Sequence, residues 1–158
     1  MKASVGGLFL VLLSTLVLAG CASDKEKLIE AGDKACKSLN ERFAGDLGFG
    51  EGVGLDDADK LTERARLVDE LVSTMRNMPA PEEGQADLNT WLGTMGDYAA
   101  SERDLVESFR TAKMGSDILL AMQINIPDGH AKSVADAATA YGFQTCSNTN
   151  TWLAFPKS

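Results

Sequence analysis

Acidic side chains around a glycine-rich stretch are the first candidates for chemistry in this sequence. The members of this group are Asp46, Glu51, Asp56, Asp57 and Asp59. Carboxylate oxygens on a flexible loop are ligands that Ca²⁺ prefers. The EF-hand spacing is absent, however, because neither the glycine nor the later glutamate of that pattern occurs. We therefore expect these residues to cap a helix or to be solvated, and we predict no metal site.

The glycine-rich stretch, residues 45–54, resembles a nucleotide-binding loop only superficially. Its segment Gly50-Glu51-Gly52-Val53-Gly54 lacks the Lys-Ser/Thr pair that follows a phosphate-binding loop. No predicted strand precedes it, and Glu51 would repel phosphate. The stretch is expected to be a mobile connector between helices.

Two further arrangements could carry acid–base catalysis. His130 lies beside Asp128 near the start of a predicted helix, but no nucleophile is spaced to pair with it, which favours a surface position. Carboxylates along residues 81–112 could act in pairs, as in glycoside hydrolases. These are Glu82, Glu83, Asp87, Asp97, Glu102, Asp104 and Glu107. No cleft can be inferred around them, so we predict that the protein is not an enzyme and needs no cofactor.

The overall charge excludes another class of function. The chain of 158 residues has 15 Lys+Arg against 23 Asp+Glu, a formal net charge of −8 at pH 7. Nucleic-acid binding requires a basic surface that neutralises phosphates. We therefore expect no nucleic-acid partner.

The amino terminus has the composition of a targeting segment. Lys2 is followed by an almost wholly apolar stretch from Val5 to Ala19. As a helix this stretch would be about 22 Å long, shorter than the ~30 Å hydrocarbon core of a bilayer. A positive start, an apolar middle and small residues at the end are typical of a signal peptide.

The end of this segment, Leu18-Ala19-Gly20-Cys21, resembles the lipobox of bacterial lipoproteins. The resemblance implies that residues 1–20 are removed and that Cys21 carries a diacylglycerol, often with a further acyl chain on the new amino terminus. Two or three chains suffice for stable anchoring. Residues 21–158 would then be an ectodomain outside the cytoplasm, held at the bacterial membrane. An ordinary secretory peptide cut after Ala19 or Gly20, or a short uncleaved anchor, are the alternatives.

With Cys21 assigned to lipid, Cys36 and Cys146 remain. Two cysteines in an oxidising compartment usually pair. We therefore predict a Cys36–Cys146 disulfide that ties the first helix to the C-terminal segment, with two buried free thiols as the alternative.

Hydrophobic spacing predicts an all-α bundle of four to five helices. The first helix is expected at about 23–44, where Ser23 and Glu26 form a capping box. The second runs from near Asp57 to before Pro79, with Leu61, Ala65, Val68, Val72 and Met75 on one face. The third is expected at about 81–112, with Pro81 at its first position and a break or close contact at Gly93 and Gly96, or a break at Ser101.

The rest of the chain predicts two shorter helices. Residues 118–124 are apolar and are interpreted as helix rather than strand. A final helix is expected from Asp128 or Gly129 to Tyr141, with Gly142 as its cap. Trp91 is expected in the core, and Trp152 is expected to fold back on the bundle, although both could line a groove.

Together these features predict a lipid-anchored, non-enzymatic binding module of the cell envelope with a protein partner. Immunity or superinfection exclusion is a special case of that hypothesis. The alternatives are a small-molecule or lipid carrier and, less favoured, an envelope hydrolase.

Overall fold

The computed structural model describes residues 23–111, 120 and 127–155, and these residues form an all-α bundle. Its helices are α1 (Asp24–Ala44), α2 (Ala58–Arg76), α3 (Gln85–Thr111) and α4 (Asp128–Tyr141). Short 3₁₀ turns lie at Leu55–Asp57 and Asn150–Trp152. Within the described ranges there is no β-strand, and no helix is long and apolar enough to cross a membrane.

Some sequence predictions fall on other residues. The signal peptide, the lipobox and Cys21 lie outside the described residues. So does nearly all of the helix predicted at 118–124, of which Leu120 alone is described, as helical and 57% exposed.

The ends of the helices follow the local sequence signals. The Ser23 hydroxyl accepts a hydrogen bond from the Glu26 N–H at 3.2 Å, and Glu26 Oε2 accepts one from the Ser23 N–H at 2.7 Å. This is the predicted capping box, which satisfies two helix-end donors. At the C-terminal end of α4, Gly142 is the capping residue and has a left-handed backbone conformation with φ 111°. A residue with an L side chain would be strained there.

The third helix departs from its predicted form. It begins at Gln85, not at Pro81, which is buried in the turn before it. It is also unbroken at Ser101, whose hydroxyl donates back to the Tyr98 carbonyl at 2.8 Å. Gly93 and Gly96 mark neither a break nor a close contact, because apart from the adjacent residues and backbone of α3 itself nothing described lies within 4 Å of the Cβ positions that these glycines lack.

The larger hydrophobic core, which we call the bundle core, lies between the four helices and the C-terminal segment. Helices α1 and α2 are antiparallel, since Gly32 approaches Met75 while Arg42 bonds to Glu63. Trp91, Trp152 and Tyr98 are fully buried, as core aromatic residues. The predicted Cys36–Cys146 disulfide is present, with the two Cα atoms 5.1 Å apart, and it joins α1 to the C-terminal segment.

The glycine-rich stretch is not a free connector. Phe49 and Val53 are buried and form a second, smaller cluster, which we call the loop-end cluster, consisting of Phe49, Val53, Leu61, Leu105, Val106, Phe109 and Ala154. The Val53 N–H donates to the Ala154 carbonyl at 2.9 Å. The stretch was predicted as a loop, which is correct, but packing and hydrogen bonds fix it against α2, α3 and the chain's end.

Candidate binding cleft

The C-terminal segment, residues 143–155, is irregular and forms one wall of a surface cleft. The Asp33 carboxylate of α1 holds its first turn by accepting three backbone hydrogen bonds, from Gln144 (3.0 Å), Thr145 (2.7 Å) and Cys146 (3.1 Å). A carboxylate that accepts several N–H groups is a strong, charge-assisted anchor. The Cys36–Cys146 disulfide fixes the same turn covalently.

A second clamp holds the middle of the segment. The Asn40 carboxamide donates to the Asn148 carbonyl at 3.1 Å and to the Thr145 carbonyl at 3.5 Å. Its oxygen accepts from the indole N–H of Trp152 at 2.6 Å. Because Asn40 thereby uses both ends of its amide, the segment is fixed on either side of Asn148.

Helix α4 supplies the opposite wall and binds the segment at two points. Asp128 Oδ1 accepts from the Ala154 N–H at 2.6 Å, and the Thr149 hydroxyl donates to the Ala131 carbonyl at 3.0 Å. The Thr149 bond is buried. The two walls of the cleft are therefore bonded to each other at these two points.

The space between the walls is a cleft of about 540 Å³, which we call the α4 cleft. It is lined by Asp128, Lys132, Ala135, Ser147, Asn148, Thr149, Asn150 and Leu153. Binding sites for small ligands usually fall between ~300 and 1,000 Å³ and carry a few convergent polar groups. The volume of the α4 cleft falls in this range, and its lining is mainly polar, with Ala135 and Leu153 as the apolar members.

Most of the polar groups in this lining are uncharged. The Asn150 carboxamide makes no hydrogen bond to any described residue, and the Asn148 amide uses only its oxygen, which lies 3.4 Å from the Asn150 N–H. The one cation, Lys132, pairs with Asp136 at 2.5 Å. The wall is thus ordered, while the Asn150 carboxamide and the Asn148 amide nitrogen have no partner among the described residues.

The distance of the α4 cleft from the start of α1 can be measured along α4. Lys25 in the first turn of α1 lies 5.1 Å from the ring centre of Tyr141, the last residue of α4. The α4 residues that line the cleft, Asp128, Lys132 and Ala135, lie toward the other end of this helix. At 1.5 Å per residue, Lys132 lies ~14 Å along the axis from the end of the bundle where α1 begins.

A second recess lies between α1 and α2. It has an apolar floor that includes Ala35, Leu39, Leu67 and Leu71, and a volume of about 220 Å³. This is below the usual range for a ligand site, and we regard it as a shallow groove between two helices.

A buried polar centre lies between the bundle core and the loop-end cluster. The guanidinium of Arg64 is fully buried and uses all five of its donors. Nε donates to Glu102 Oε1 (2.8 Å), Nη2 to the Tyr98 hydroxyl (2.5 Å) and the Trp152 carbonyl (2.8 Å), and Nη1 to the carbonyls of Leu47 (3.2 Å) and Thr151 (3.4 Å).

The surroundings of this centre decide its protonation. Phe43 and Phe49 lie against the guanidinium, with ring centres 4.0 and 4.4 Å away. Burial raises the pKa of Glu102 to about 7, although Arg64 and a hydrogen bond from Tyr98 favour its carboxylate. Burial opposes the charge on Arg64 as well, but its Tyr98 and Glu102 neighbours raise the Arg64 pKa, so the guanidinium stays protonated. Arg64, Tyr98 and Glu102 are each 0% exposed, so this centre supports the fold and offers no surface to a substrate.

Sequence reasoning missed this centre, because it considered Glu102 only as one of seven carboxylates that could act in catalytic pairs. The signal was its position on the apolar stripe of α3, between Tyr98 and Leu105. Arg64 likewise lies between Leu61 and Val68 on the stripe of α2. A base and an acid that each interrupt an apolar stripe indicate a buried pair.

The other predicted residues are distributed as follows. His130 is exposed on α4. Asp57 caps the turn before α2, accepting from the Gly54 N–H at 2.9 Å, and Asp46 pairs with Arg42 at 3.3 Å. Among the residues that the structure describes, no three His, Cys, Asp or Glu side chains are placed to hold a metal ion. None of the carboxylates proposed as hydrolase pairs lines the α4 cleft.

Comparison with known proteins adds no relative, since no protein-family model, no curated protein and no solved structure matches the chain.

Proposed function

We propose that this protein is a lipid-anchored, non-enzymatic binding module of the bacterial cell envelope that engages a protein partner through the α4 cleft. The anchor is the acylated Cys21 of Leu18-Ala19-Gly20-Cys21, after removal of residues 1–20. The ectodomain, residues 21–158, lies outside the cytoplasm.

The observation that carries the proposal is the pre-ordered wall of the α4 cleft. Asp33, Asn40 and the disulfide fix the C-terminal segment, while the Asn150 carboxamide is left without a partner among the described residues. Binding to such a wall orders few side chains, so little conformational entropy opposes association. A fold that ties down this segment so thoroughly, yet leaves the Asn150 carboxamide without a partner among the described residues, favours recognition by that segment.

The height of the cleft supports a partner in the aqueous envelope. One residue separates Cys21 from Ser23, the N-cap of α1, so the first turn of α1 lies close to the lipid. With the bundle axis normal to the membrane, the α4 cleft would stand ~14 Å further from the lipid than that turn. A protein, including an incoming toxin or phage component in the special case of immunity or superinfection exclusion, could reach it there.

The anchor is tested by Cys21→Ser in the native host. Loss of the thiol that receives the diacylglycerol should leave an unacylated precursor that keeps residues 1–20, which mass spectrometry of the intact protein detects. The matched control is Glu30→Ala, which alters an exposed residue of α1 but not the thiol. A Cys21→Ser protein that matures and stays in the membrane fraction would contradict the anchor.

The partner is tested by a photo-crosslinking residue in place of Asn150 in the full-length protein, in native membranes. We expect a discrete crosslinked band that mass spectrometry identifies as one protein. The matched control places the same residue at Asn89, which is exposed on α3 and outside the cleft. Equal patterns from the two positions, or no band from position 150, would contradict the use of the cleft.

A lipid carrier is less favoured than a binding module. The apolar recess between α1 and α2 is open and measures about 220 Å³, smaller than the pockets that enclose drug-sized ligands. Native mass spectrometry of the purified protein would reveal a co-purified lipid beyond the covalent anchor if the carrier hypothesis were correct.

A further inference from the structure

We propose that the buried polar centre of Arg64, Tyr98 and Glu102 is a pH-sensitive switch that acts on the C-terminal wall of the α4 cleft. Ionised Glu102 takes the hydrogen bond of the Tyr98 hydroxyl, and protonated Glu102 releases that bond to the Trp152 carbonyl. The consequence for a partner rests on the proposed binding function of the cleft, whereas the switch itself is a property of the chain.

The Tyr98 hydroxyl has one proton and two acceptors within reach. Its oxygen lies 2.5 Å from Glu102 Oε1 and 2.8 Å from the Trp152 carbonyl oxygen. A phenolic hydroxyl donates its single proton in one direction at a time. A carboxylate accepts more strongly than an amide carbonyl because it is charged, and a protonated carboxyl group lacks that advantage. The charge of Glu102 therefore decides which acceptor Tyr98 bonds to.

Arg64 holds these groups in place in both states. Its Nε donates to Glu102 Oε1 at 2.8 Å, and its Nη2 donates to the Tyr98 oxygen at 2.5 Å and to the Trp152 carbonyl at 2.8 Å. Burial opposes the charge on the guanidinium, but Tyr98 and Glu102 raise the Arg64 pKa, so these donors are kept. Only the direction of the Tyr98 proton changes between the two states.

A protonated Glu102 completes the hydrogen bonds of the centre. Glu102 Oε2 is buried and has no partner among the described residues, so a proton there would have no acceptor. A proton on Oε1 is donated to the Tyr98 oxygen, and Tyr98 then donates to the Trp152 carbonyl. Solvent supplies this proton. Tyr98 keeps its own, because burial and the neighbouring Glu102 raise the Tyr98 pKa well above its usual range.

The Trp152 carbonyl connects the centre to the α4 cleft. This carbonyl belongs to the peptide unit that joins Trp152 to Leu153, and Leu153 lines the cleft. Asn150, another lining residue, begins the 3₁₀ turn that ends at Trp152. A hydrogen bond from Tyr98, added to the one from Arg64, holds this part of the wall more firmly. Protonation of Glu102 therefore orders the wall, and ionisation loosens it.

Few other ionisable groups face Glu102. Helix α2 contributes Arg64, and α3 itself contributes Tyr98 and Arg103, of which Arg103 pairs with Asp69 at 2.6 Å. The remaining elements face the centre with groups that do not ionise, which are the rings of Phe43 and Phe49 and the carbonyls of Leu47, Thr151 and Trp152. Burial raises the pKa of Glu102 to about 7, against the opposing effects of Arg64 and Tyr98, so the switch operates near neutral pH.

The test follows two carbon signals by nuclear magnetic resonance in the purified, ¹³C-labelled full chain in a non-ionic detergent. The Glu102 carboxyl signal reports ionisation, and the Trp152 carbonyl signal reports hydrogen bonding to its oxygen. Between about pH 5 and pH 9 we expect both signals to move with the same midpoint. The Trp152 signal should move toward stronger hydrogen bonding as the pH falls.

Tyr98→Phe separates the switch from a general effect of pH. Glu102 should still titrate, at a higher pH because its carboxylate has lost a donor, while the Trp152 carbonyl signal should lose its response. The matched control is Tyr141→Phe, which removes a buried hydroxyl that has no partner among the described residues. It should leave both titration curves unchanged.

Glu102→Gln provides a second test if Tyr98→Phe does not fold. Without an ionisable group at position 102, the Trp152 carbonyl signal should stay constant over the same pH range. Glu63→Gln, which changes a carboxylate of α2 outside the centre, should retain the response.

Three outcomes would overturn the switch. The Glu102 carboxyl signal could fail to titrate over this range, or the Trp152 carbonyl signal could fail to follow it. The third is a Trp152 response that persists in Tyr98→Phe or Glu102→Gln.

The role of the switch in binding is measured separately, by the crosslink from position 150 in native membranes. Its yield should be severalfold higher at about pH 6 than at about pH 8 in the wild type, and equal at the two values in Glu102→Gln. Equal yields in the wild type would overturn the regulation but not the partner. Absence of a crosslink at both values would contradict the proposed function, while the carbon signals would still decide the switch.

Discussion

The bundle core and the loop-end cluster are built on different principles. The bundle core takes most of its side chains from helices at three- and four-residue spacing, such as Val68, Val72 and Met75 of α2. The loop-end cluster combines helical residues with Phe49 and Val53 of the glycine-rich stretch and Ala154 near the end of the chain. Helices satisfy their own backbone groups, whereas buried irregular segments do not.

Arg64 lies between a ring of the bundle core, Phe43, and a ring of the loop-end cluster, Phe49, and it donates hydrogen bonds to backbone groups that no helix satisfies. Three of its hydrogen bonds go to carbonyl groups outside the α-helices, those of Leu47, Thr151 and Trp152. An unpaired buried carbonyl costs about 1–3 kcal/mol. The comparison teaches that apolar periodicity is sufficient for the bundle core, while the loop-end cluster needs a polar centre as well.

The largest effect is expected from Arg64→Ala. It leaves Glu102 buried without its cation and removes the donors to three carbonyl groups, so we expect a loss of about 3–5 kcal/mol in the free energy of unfolding, measured in urea. Amide exchange should accelerate more at Val53, whose N–H bonds to Ala154, than in the middle of α2. The double variant Arg64→Met/Glu102→Met should regain part of the loss but not the protection of Val53. A loss below 1 kcal/mol, or equal acceleration in both regions, would contradict the comparison.

Removal of the disulfide tests the bundle core. Cys36→Ala together with Cys146→Ala should reduce the free energy of unfolding by about 2–5 kcal/mol, because the bridge joins residues 110 positions apart. The fold should persist, since Asp33 and Asn40 still hold the C-terminal segment. Urea unfolding with and without reductant checks this: the wild type should shift and the double variant should not. A wild type that is insensitive to complete reduction would show that the bridge adds no stability.

The pH dependence of stability isolates Glu102. Because burial raises its folded pKa to about 7, the folded state keeps a proton that the unfolded chain loses above about pH 4.5. Stability from this group is thus fully present below pH 4.5 and falls as the pH rises to 7, by up to about 3 kcal/mol. Glu102→Gln should flatten the profile between pH 5 and 8.

A matched control lies in Glu63, where the hydrogen bond from Arg66 lowers the pKa to about 2. Its stabilising effect is present above pH 4.5 and is lost only as the pH falls toward 2, so Glu63→Gln should leave the pH 5–8 slope unchanged. If the slope between pH 5 and 8 were the same in Glu102→Gln as in the wild type, the assignment to Glu102 would be wrong.

The smallest effects come from a pair of glycine substitutions. In Gly32→Ala the new Cβ would lie 2.5 Å from Phe143 Cε1, within the packed bundle core, so we expect a loss of about 1–3 kcal/mol. In Gly93→Ala the new Cβ would meet no described residue, and the gain in helix propensity should stabilise the protein by up to about 1 kcal/mol. Thermal unfolding of the two variants measures the contrast. Stabilisation by both would mean that Phe143 moves aside and that the core is looser than the structure indicates.

Much of the helical fold could be predicted because its signals are local. Ser23 and Glu26 cap α1 within one turn, and Gly142 ends α4 with the one residue type that tolerates its φ without strain. The start of α3 was misplaced because Pro81 suits a first helical position as well as the buried turn that it occupies. Ser101 was misjudged because a capping residue can also sit inside a helix when its hydroxyl bonds to the preceding turn.

The candidate site was less predictable than the helices. The α4 cleft joins Lys132 and Ala135 of a helix to Asn148 and Asn150 of an irregular segment, and nothing periodic links the two. Trp152 was considered as a residue that could line a groove, but its indole ring is buried in the bundle core. Its indole N–H donates to Asn40, and its carbonyl accepts a hydrogen bond from Arg64.

The amino-acid sequence alone determined where most helices begin and end, which of their faces are apolar and which two cysteines were available to pair, because capping and the 3.6-residue period act over a few neighbouring residues. Only the tertiary structure decided that Arg64 meets Glu102 across 38 positions and that a polar C-terminal segment stands opposite α4. Those contacts depend on how whole helices pack, and packing is set by the complementary shapes of distant surfaces.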